Sequence, residues 1–239
     1  MLDVHPAHHS ATTWRDFLIH IATIVIGLLI AIGLEQSVEM IHRAHQRRVL
    51  RDSLAAETEQ ILKDSGKLEQ LEVQQNEWSS KFLDQMSEAA AHHHPIGVLP
   101  PRPPNDADLP DDPVYTTAAA SNQLGLLSRE EAQAYGEIHD SLLQYKHAEA
   151  DHINMGMAAG SFLVSLGYGK EKTASPLPWI STATPEEARQ LYNLLVAANN
   201  AGNVEINCLK QLHGGALAMQ RGERNLAKIE ESEKIYSQH

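Results

Sequence analysis

The sequence predicts an all-α protein, with one N-terminal transmembrane helix continuing into a long helix that joins an irregular helical bundle. Three observations carry the prediction. Residues 17–34, FLIHIATIVIGLLIAIGL, contain no formally charged side chain. No proline falls between Thr12 and His94, so nothing in that span forces a helix to end. Elsewhere Ala, Leu, Gln and Glu are abundant and aromatics make up only 5%, a composition that favours helix.

The first element is the apolar run. Eighteen residues at ~1.5 Å each extend about 27 Å, close to the ~30 Å hydrocarbon thickness of a bilayer. The run is apolar on all sides, unlike an amphipathic surface helix. Trp14 and Arg15 stand at its start, where an indole and a guanidinium suit the headgroup layer. A cleaved signal peptide is the rival, and Ala31–Ile32–Gly33 offers a small-x-small site. Against it, Arg15 is opposed by Asp3 and Asp16, and the run exceeds the roughly 7–15 residues of a signal core. His20, Thr23, Gly27 and Ala31 recur every three or four residues, and Glu35 continues their line. Small residues so spaced form a face that lets a second membrane helix approach. Arg43, Arg47, Arg48 and Arg51 follow the span, whereas only Arg15 precedes it. The positive-inside rule then puts the C-terminal part in the cytoplasm. Glu35 and Glu39 lie nearer the membrane and weaken that bias, which leaves a periplasmic location as the alternative.

The second element continues the first. Leu50, Leu54, Ile61, Leu68, Leu71, Trp78, Phe82 and Met86 recur in steps of 3, 4 and 7, so residues 35–92 read as one long juxtamembrane helix. Glu57, Asp64 and Gln75 interrupt the pattern and argue against a two-stranded zipper. Residues 93–113 form a Pro-rich loop, because seven of the eleven prolines fall between His92 and Pro113. Residues 114–239 supply the rest of the bundle, packing on 50–92. A short helix ends near Gly125. Ser128, with Glu131 three residues on, reads as a capping box that starts a third helix running to about Leu166. Thr184–Pro185–Glu186–Glu187 starts a fourth, with Asn199–Asn203 and Gly214–Gly215 expected to bend or break it. The last segment, NLAKIEESEKIYSQ, reads as an exposed helix. With residues 1–16 as a short tail and 17–34 as the span, this completes the organisation.

Charge and motifs exclude more than they assign. A net charge of −12 lacks the basic footprint of a nucleic-acid binder. The single cysteine, Cys208, precludes an intramolecular disulfide and a CxxC site. No GxSxG, HExxH, GxGxxG or P-loop signature occurs, so the chain is not expected to be an enzyme or to carry a cofactor. Fourteen histidines are the unusual feature. Two ExxH spacings, Glu39–His42 and Glu149–His152, resemble half of a di-iron helix pair. Glu149, His152, His42 and His45 are thus the weak candidates for metal ligation. Glu137, Glu205 and Glu223 do not obviously follow an apolar stripe, and solvated or hydrogen-bonded histidines are the expectation.

The N-terminal pattern VHPAHHSATTWRDFLIHIATIVIGLLIAIGLEQSVE resembles a group of uncharacterised bacterial single-pass membrane proteins. They share a His-bearing tail, a Trp, a Leu/Ile-rich span with glycines and a Glu just after it, followed by a helical domain. The resemblance covers about the first 45 residues and implies an anchor in the bacterial inner membrane, with no activity or site. The sequence therefore points to a non-catalytic accessory or scaffold subunit. Its expected partners are the lipid bilayer and other membrane subunits, met through the span and the Pro-rich loop. A histidine-dependent metal-binding membrane protein is the first alternative. A non-catalytic subunit of a sensor or enzyme complex is the second.

Overall fold

The computed structural model describes residues 14–92, 101–104, 107–165 and 184–238. These form five α-helices: α1 (Trp14–His92), α2 (Pro113–Ala120), α3 (Arg129–Ser165), α4 (Pro185–Gln220) and α5 (Leu226–Ser237). A 3-10 turn, Gln123–Leu126, links α2 to α3. No strand occurs among the described residues, and the all-α expectation holds. The chain divides into two compact units, Met1–Leu50 and Arg51–His239, and α1 contributes to both.

In the first unit α1 is a single uninterrupted helix, long and apolar enough to cross a membrane. None of its most apolar 18-residue window is buried. Its polar side chains turn back on their own backbone. Thr23 Oγ1 donates to the Ile19 carbonyl at 2.9 Å, and Ser37 Oγ donates to that of Gly33 at 2.7 Å. His20 Nδ1 lies 2.8 Å from the Asp16 carbonyl. Such i−4 bonds satisfy polar groups without water. Trp14 stacks on Phe17 at the start of the helix.

The second unit is built on heptads. Along α1, Leu54, Ile61, Leu68, Gln75 and Phe82 alternate at 4–3 spacing with Thr58, Ser65, Glu72, Ser79 and Met86, and all but Ser79 are buried. This register differs from the one expected. Leu71 and Trp78 are only partly buried, and Glu72 and Gln75 take the interior positions. Leu71 and Glu72 are adjacent, so steps of 3, 4 and 7 fit either line; the layers already set by Leu54, Ile61 and Leu68 decide between them.

Ala134, Ile138, Leu142 and Tyr145 of α3 face Leu209, Leu212, Ala216 and Met219 of α4 in a core of almost fully buried side chains. Each large aliphatic side chain so buried stabilises by roughly 1.5–3 kcal/mol. A second apolar cluster joins Phe82 and Met86 of α1 to Leu191 of α4, with Phe162, Leu163 and Leu195 packed against it.

The predicted capping box at Ser128 is present, and the expected cap at Thr184 is a capping box as well. Glu131 N donates to Ser128 Oγ at 3.3 Å while Ser128 N donates to Glu131 Oε2 at 3.0 Å. Thr184 and Glu187 repeat the arrangement at the start of α4. At α2 the N-terminal residue Asp112 makes no side-chain cap. Glu57 of α1 does so instead, accepting from Val114 N at 2.5 Å and Tyr115 N at 3.0 Å.

Two expectations need correction. Asn199–Asn203 and Gly214–Gly215 do not interrupt α4, which is continuous to Gln220. The last helix is not simply exposed, because Ile229 and Glu233 of α5 are buried. Asn199 and Asn203 are bonded to Ser80 and Asn76 of α1, and the two glycines face α5. At Gly214 an added Cβ would lie 2.8 Å from Tyr236 Cβ and 2.9 Å from the Ser232 carbonyl. At Gly215 it would lie 2.5 Å from Glu233 Oε1. These glycines are where α5 docks.

Residue pairs fix the helix directions. Ser65 meets His213 (3.1 Å), Asn76 meets Asn203 (2.7 Å) and Ser80 meets Asn199 (3.4 Å), so α1 and α4 are antiparallel. Arg51 meets Glu131 at the other end, so α1 and α3 run parallel. A parallel pair needs a connection that returns along the first helix. From Glu57, where α2 begins, to His92 is about 52 Å of helix. The 21 steps from His92 to Pro113 reach about 65 Å at polyproline rise. A Pro-rich composition suits that demand for extension. Its described residues are held by this same chain: Gln75 Nε2 donates to the Pro103 and Pro104 carbonyls at 3.3 and 3.2 Å, and Pro110 is fully buried. Residues 93–100, 105 and 106 lie outside the described residues.

Candidate functional site

Three helices of the second unit turn polar at one level. The α1 heptad reaches Glu72 and Gln75 after Leu68. The α3 stripe Ile138, Leu142, Tyr145 continues at the same 4–3 spacing to Glu149 and His152. The α4 stripe, followed backwards from Met219 through Ala216, Leu212 and Leu209, arrives at Glu205 and Gly202. Ligand atoms of Glu72, His152 and Glu205 all lie within 4.8 Å of one another.

Glu205 is only 2% exposed and Glu72 8%. The His152 side chain keeps 31% of its surface, which leaves the trio reachable from solvent. His152 Nδ1 lies 2.5 Å from Glu205 Oε2; with the carboxylate ionised, the ring nitrogen is the donor. The close fit depends on Gly202, whose added Cβ would stand 3.3 Å from His152 Cε1 and Nε2 and 3.2 Å from Asn76 Oδ1. Arg102 Nε donates to Gln75 Oε1 at 2.9 Å, bringing one cation from the Pro-rich segment to this level.

The electrostatics follow from that crowding. Burial, reinforced by the Glu205 charge, pushes the Glu72 carboxyl up to about 6, with His152 and Arg102 pulling the other way. The hydrogen bond to Glu205 raises the His152 imidazole above its ordinary range, against the effect of burial. Burial and then the Glu205 charge raise Glu149. Tyr145 is 1% exposed, and its hydroxyl has no hydrogen-bond partner among the described residues. Burial raises its pKa, and the charges of Glu149, Glu205 and Glu72 add to the effect.

The sequence-predicted candidates separate. His152 joins the trio, and Glu149 borders it without supplying a ligand atom at that spacing. His42 and His45 belong to the first unit, where His42 Nε2 is 3.0 Å from Gln46 Nε2. His20, Thr23, Gly27 and Ala31 are all exposed, and nothing lies within 4 Å of the position a Cβ would take at Gly27. Other histidines have their own roles. His139 Nδ1 pairs with Asp112 Oδ2 at 2.5 Å, and His213 stacks on Tyr236.

Glu72, Glu205 and Tyr145 were not singled out from sequence. Glu205 does follow an apolar stripe, contrary to expectation: 202, 205, 209, 212, 216 and 219 form one 3–4 series. The usable signal was an ionisable residue on the continuation of a core stripe in each of three helices.

Two carboxylates and an imidazole are a hard-to-borderline donor set, suited to a divalent first-row ion and unsuited to a soft one. The same groups also make a buried hydrogen-bonded ion pair. The chain matches no protein-family model, no curated protein and no solved structure.

Proposed function

We propose that this protein is a single-pass, membrane-anchored, non-catalytic subunit that serves as an accessory or scaffold component of a larger complex in the bacterial inner membrane. One observation carries the reading: the apolar window within α1 has no side chain buried by the rest of the chain. Water would have to solvate Leu28, Leu29 and Ile30, each about 60% exposed, at roughly 25 cal/mol per Å² of apolar surface. Lipid removes that cost, and the inward-turned bonds of Thr23 and Ser37 suit a medium that offers no partners. The small-residue face of His20, Thr23, Gly27 and Ala31 is the surface offered to a partner helix. The bundle lies in the cytoplasm on the arginine bias; Glu39 pairs with Arg43 at 2.5 Å, and Arg47, Arg48 and Arg51 still carry that bias.

The test is fractionation followed by purification. The full chain stays with carbonate-washed membranes, dissolves only in detergent, and brings stoichiometric membrane subunits with it. Recovery in the detergent-free supernatant overturns the anchor, and recovery of the chain alone overturns the subunit role. Sidedness is read with a membrane-impermeant thiol reagent. Cys208 is half-buried, and burial followed by the Glu205 charge raises its thiol pKa, so it reports poorly. Glu59→Cys in a Cys208→Ser background places an exposed thiol on α1. Protection in intact cells agrees with a cytoplasmic bundle, and labelling places it outside.

A further inference from the structure

The second unit holds two buried carboxylates and an imidazole at one level of three helices, next to a buried hydroxyl with no partner. An apolar layer would stabilise the bundle with less difficulty, since buried charge is costly even when paired. Most other buried polar groups of α1 are accounted for pairwise: Thr58 donates to the Leu54 carbonyl, Ser65 meets His213, and Asp64 accepts from Gln60, while Gln85 Oε1, further along α1, is buried without a partner among the described residues. Glu72 differs. It sits at an interior position against a second carboxylate, Glu205, which His152 already engages.

We propose that Glu72, His152 and Glu205 ligate one divalent first-row metal ion, of the Zn²⁺, Mn²⁺ or Fe²⁺ class, and that the Tyr145 hydroxyl donates to a carboxylate ligand or to water on that ion. The donor atoms are two carboxylate oxygens and one ring nitrogen, the mixed set these ions accept. They come from three helices, so the ion would tie α1, α3 and α4 together at a level where apolar packing is missing. Their present separations, up to 4.8 Å, exceed the roughly 3.4 Å expected between ligands about 2.1 Å from a tetrahedral ion. Rotation of the glutamate side chains covers that difference without moving a helix. His152 Nδ1 and Glu205 Oε2, at 2.5 Å, must instead part slightly, exchanging a shared proton for the ion.

Tyr145 is the independent observation. A phenol on an otherwise apolar core stripe usually finds an acceptor when buried. Here its oxygen is buried and unpartnered among the described residues, and Tyr145 stands on the same 4–3 stripe of α3 that carries Glu149 and His152. An ion that draws Glu72 and Glu205 inward supplies a fixed oxygen for it. The partial exposure of His152 gives the ion an entry path.

The test uses the full chain in detergent, stripped with chelator and dialysed against Zn²⁺ or Mn²⁺ alone. The wild type binds one ion that His139→Ala and the pair His42→Ala, His45→Ala leave in place. His152→Ala and Glu205→Gln weaken that binding by at least about tenfold, and Tyr145→Phe weakens it with the stoichiometry kept. X-ray absorption on the zinc form shows a single imidazole among oxygen donors. Far-UV circular dichroism checks that each variant folds; should His152→Ala or Glu205→Gln fail, Glu72→Gln and the wild-type absorption spectrum decide. Less than about a tenth of an ion per wild-type chain, several imidazoles per ion, or full affinity in folded His152→Ala and Glu205→Gln would each overturn the proposal. None of these outcomes depends on whether the chain is membrane-anchored.

Discussion

Glu233 is a carboxyl placed where its charge is poorly solvated. It is 8% exposed on α5, lies against Gly215, and has the Ser141 hydroxyl donating to it at 3.0 Å. Burial pushes its pKa up to about 7, more than the hydroxyl can offset. The folded chain therefore holds this proton more tightly than the unfolded chain, whose glutamates titrate near 4.3. Stability falls as pH rises between those two values and is lowest, for this group, above about 7. Glu233→Gln keeps the shape and the Ser141 contact and removes the charge. It is expected to raise the melting temperature at pH 8, on the order of 1–2 kcal/mol in stability, and to have almost no effect at pH 4.5. Thermal melts of the full chain at both pH values check this; equal gains at both would mean that titration is not the cause. Gly214→Ala should act in the opposite direction at every pH, costing about 1–3 kcal/mol, because backbone and Cβ atoms of α5 occupy the space its methyl needs. Neither role was legible in the sequence. A glutamate in a charged terminal helix reads as solvated, and paired glycines read as a break; only the docked helix reveals what they face.

At the scale of elements, legibility depended on whether the signal was local. The helix starts at Ser128 and Thr184 are short-range chemistry, and both are found as expected, the second closed by a capping box where the sequence predicts only a cap. The heptad of α1 is not local in the same sense. Leu71 and Trp78 satisfied the spacing as well as Glu72 and Gln75 do, and a rule that seeks apolar residues prefers the wrong pair. Following Leu54, Ile61 and Leu68 by sevens leads to Gln75 whatever its polarity. The candidate site was hidden for this reason: its residues are the polar members of core stripes.

The Pro-rich segment gives the firmest prediction at this scale. Parallel α1 and α3 require a long return, and Gln75 holds Pro103 and Pro104 about 25 Å back along α1 from His92. Eleven extended steps reach about 34 Å, whereas deleting residues 95–100 leaves five steps and about 16 Å. That deletion should release the Gln75 and Arg102 contacts and lower the melting temperature of the bundle. Inserting six Gly/Ser residues at the same point should cost under about 1 kcal/mol, because closure entropy grows slowly with length. Equal effects from both changes would show that the length of chain between His92 and Pro103 does not limit these contacts.

For the whole molecule, exposed apolar surface is unevenly shared. Of the exposed large apolar side chains, a dense series runs along α1 from Trp14 to Ile41. In the second unit the exposed ones, such as Leu109, Leu143, Ile153 and Val204, are scattered among polar neighbours. Scattered exposure is ordinary for a protein in water, whereas a continuous apolar series is not. The buried layers of α1, α3, α4 and α5 begin at Leu50, well past residue 34, so the bundle's stability should not need the span. Removing residues 1–34 takes away Asp3, Arg15 and Asp16, leaving the net charge at −11, enough to keep the remainder dispersed. The shortened chain is expected to stay in solution without detergent and to melt cooperatively within a few degrees of the full chain, as read by far-UV circular dichroism. Leu29→Lys in the full chain is the companion change: one cation at mid-span costs about 2.5–3.5 kcal/mol of insertion and should shift the protein out of the membrane fraction without altering the bundle's melt. If the shortened chain instead aggregated or lost its helical signal, the apolar helix would be part of the bundle's own core, and lipid would not be the surface it was built to meet.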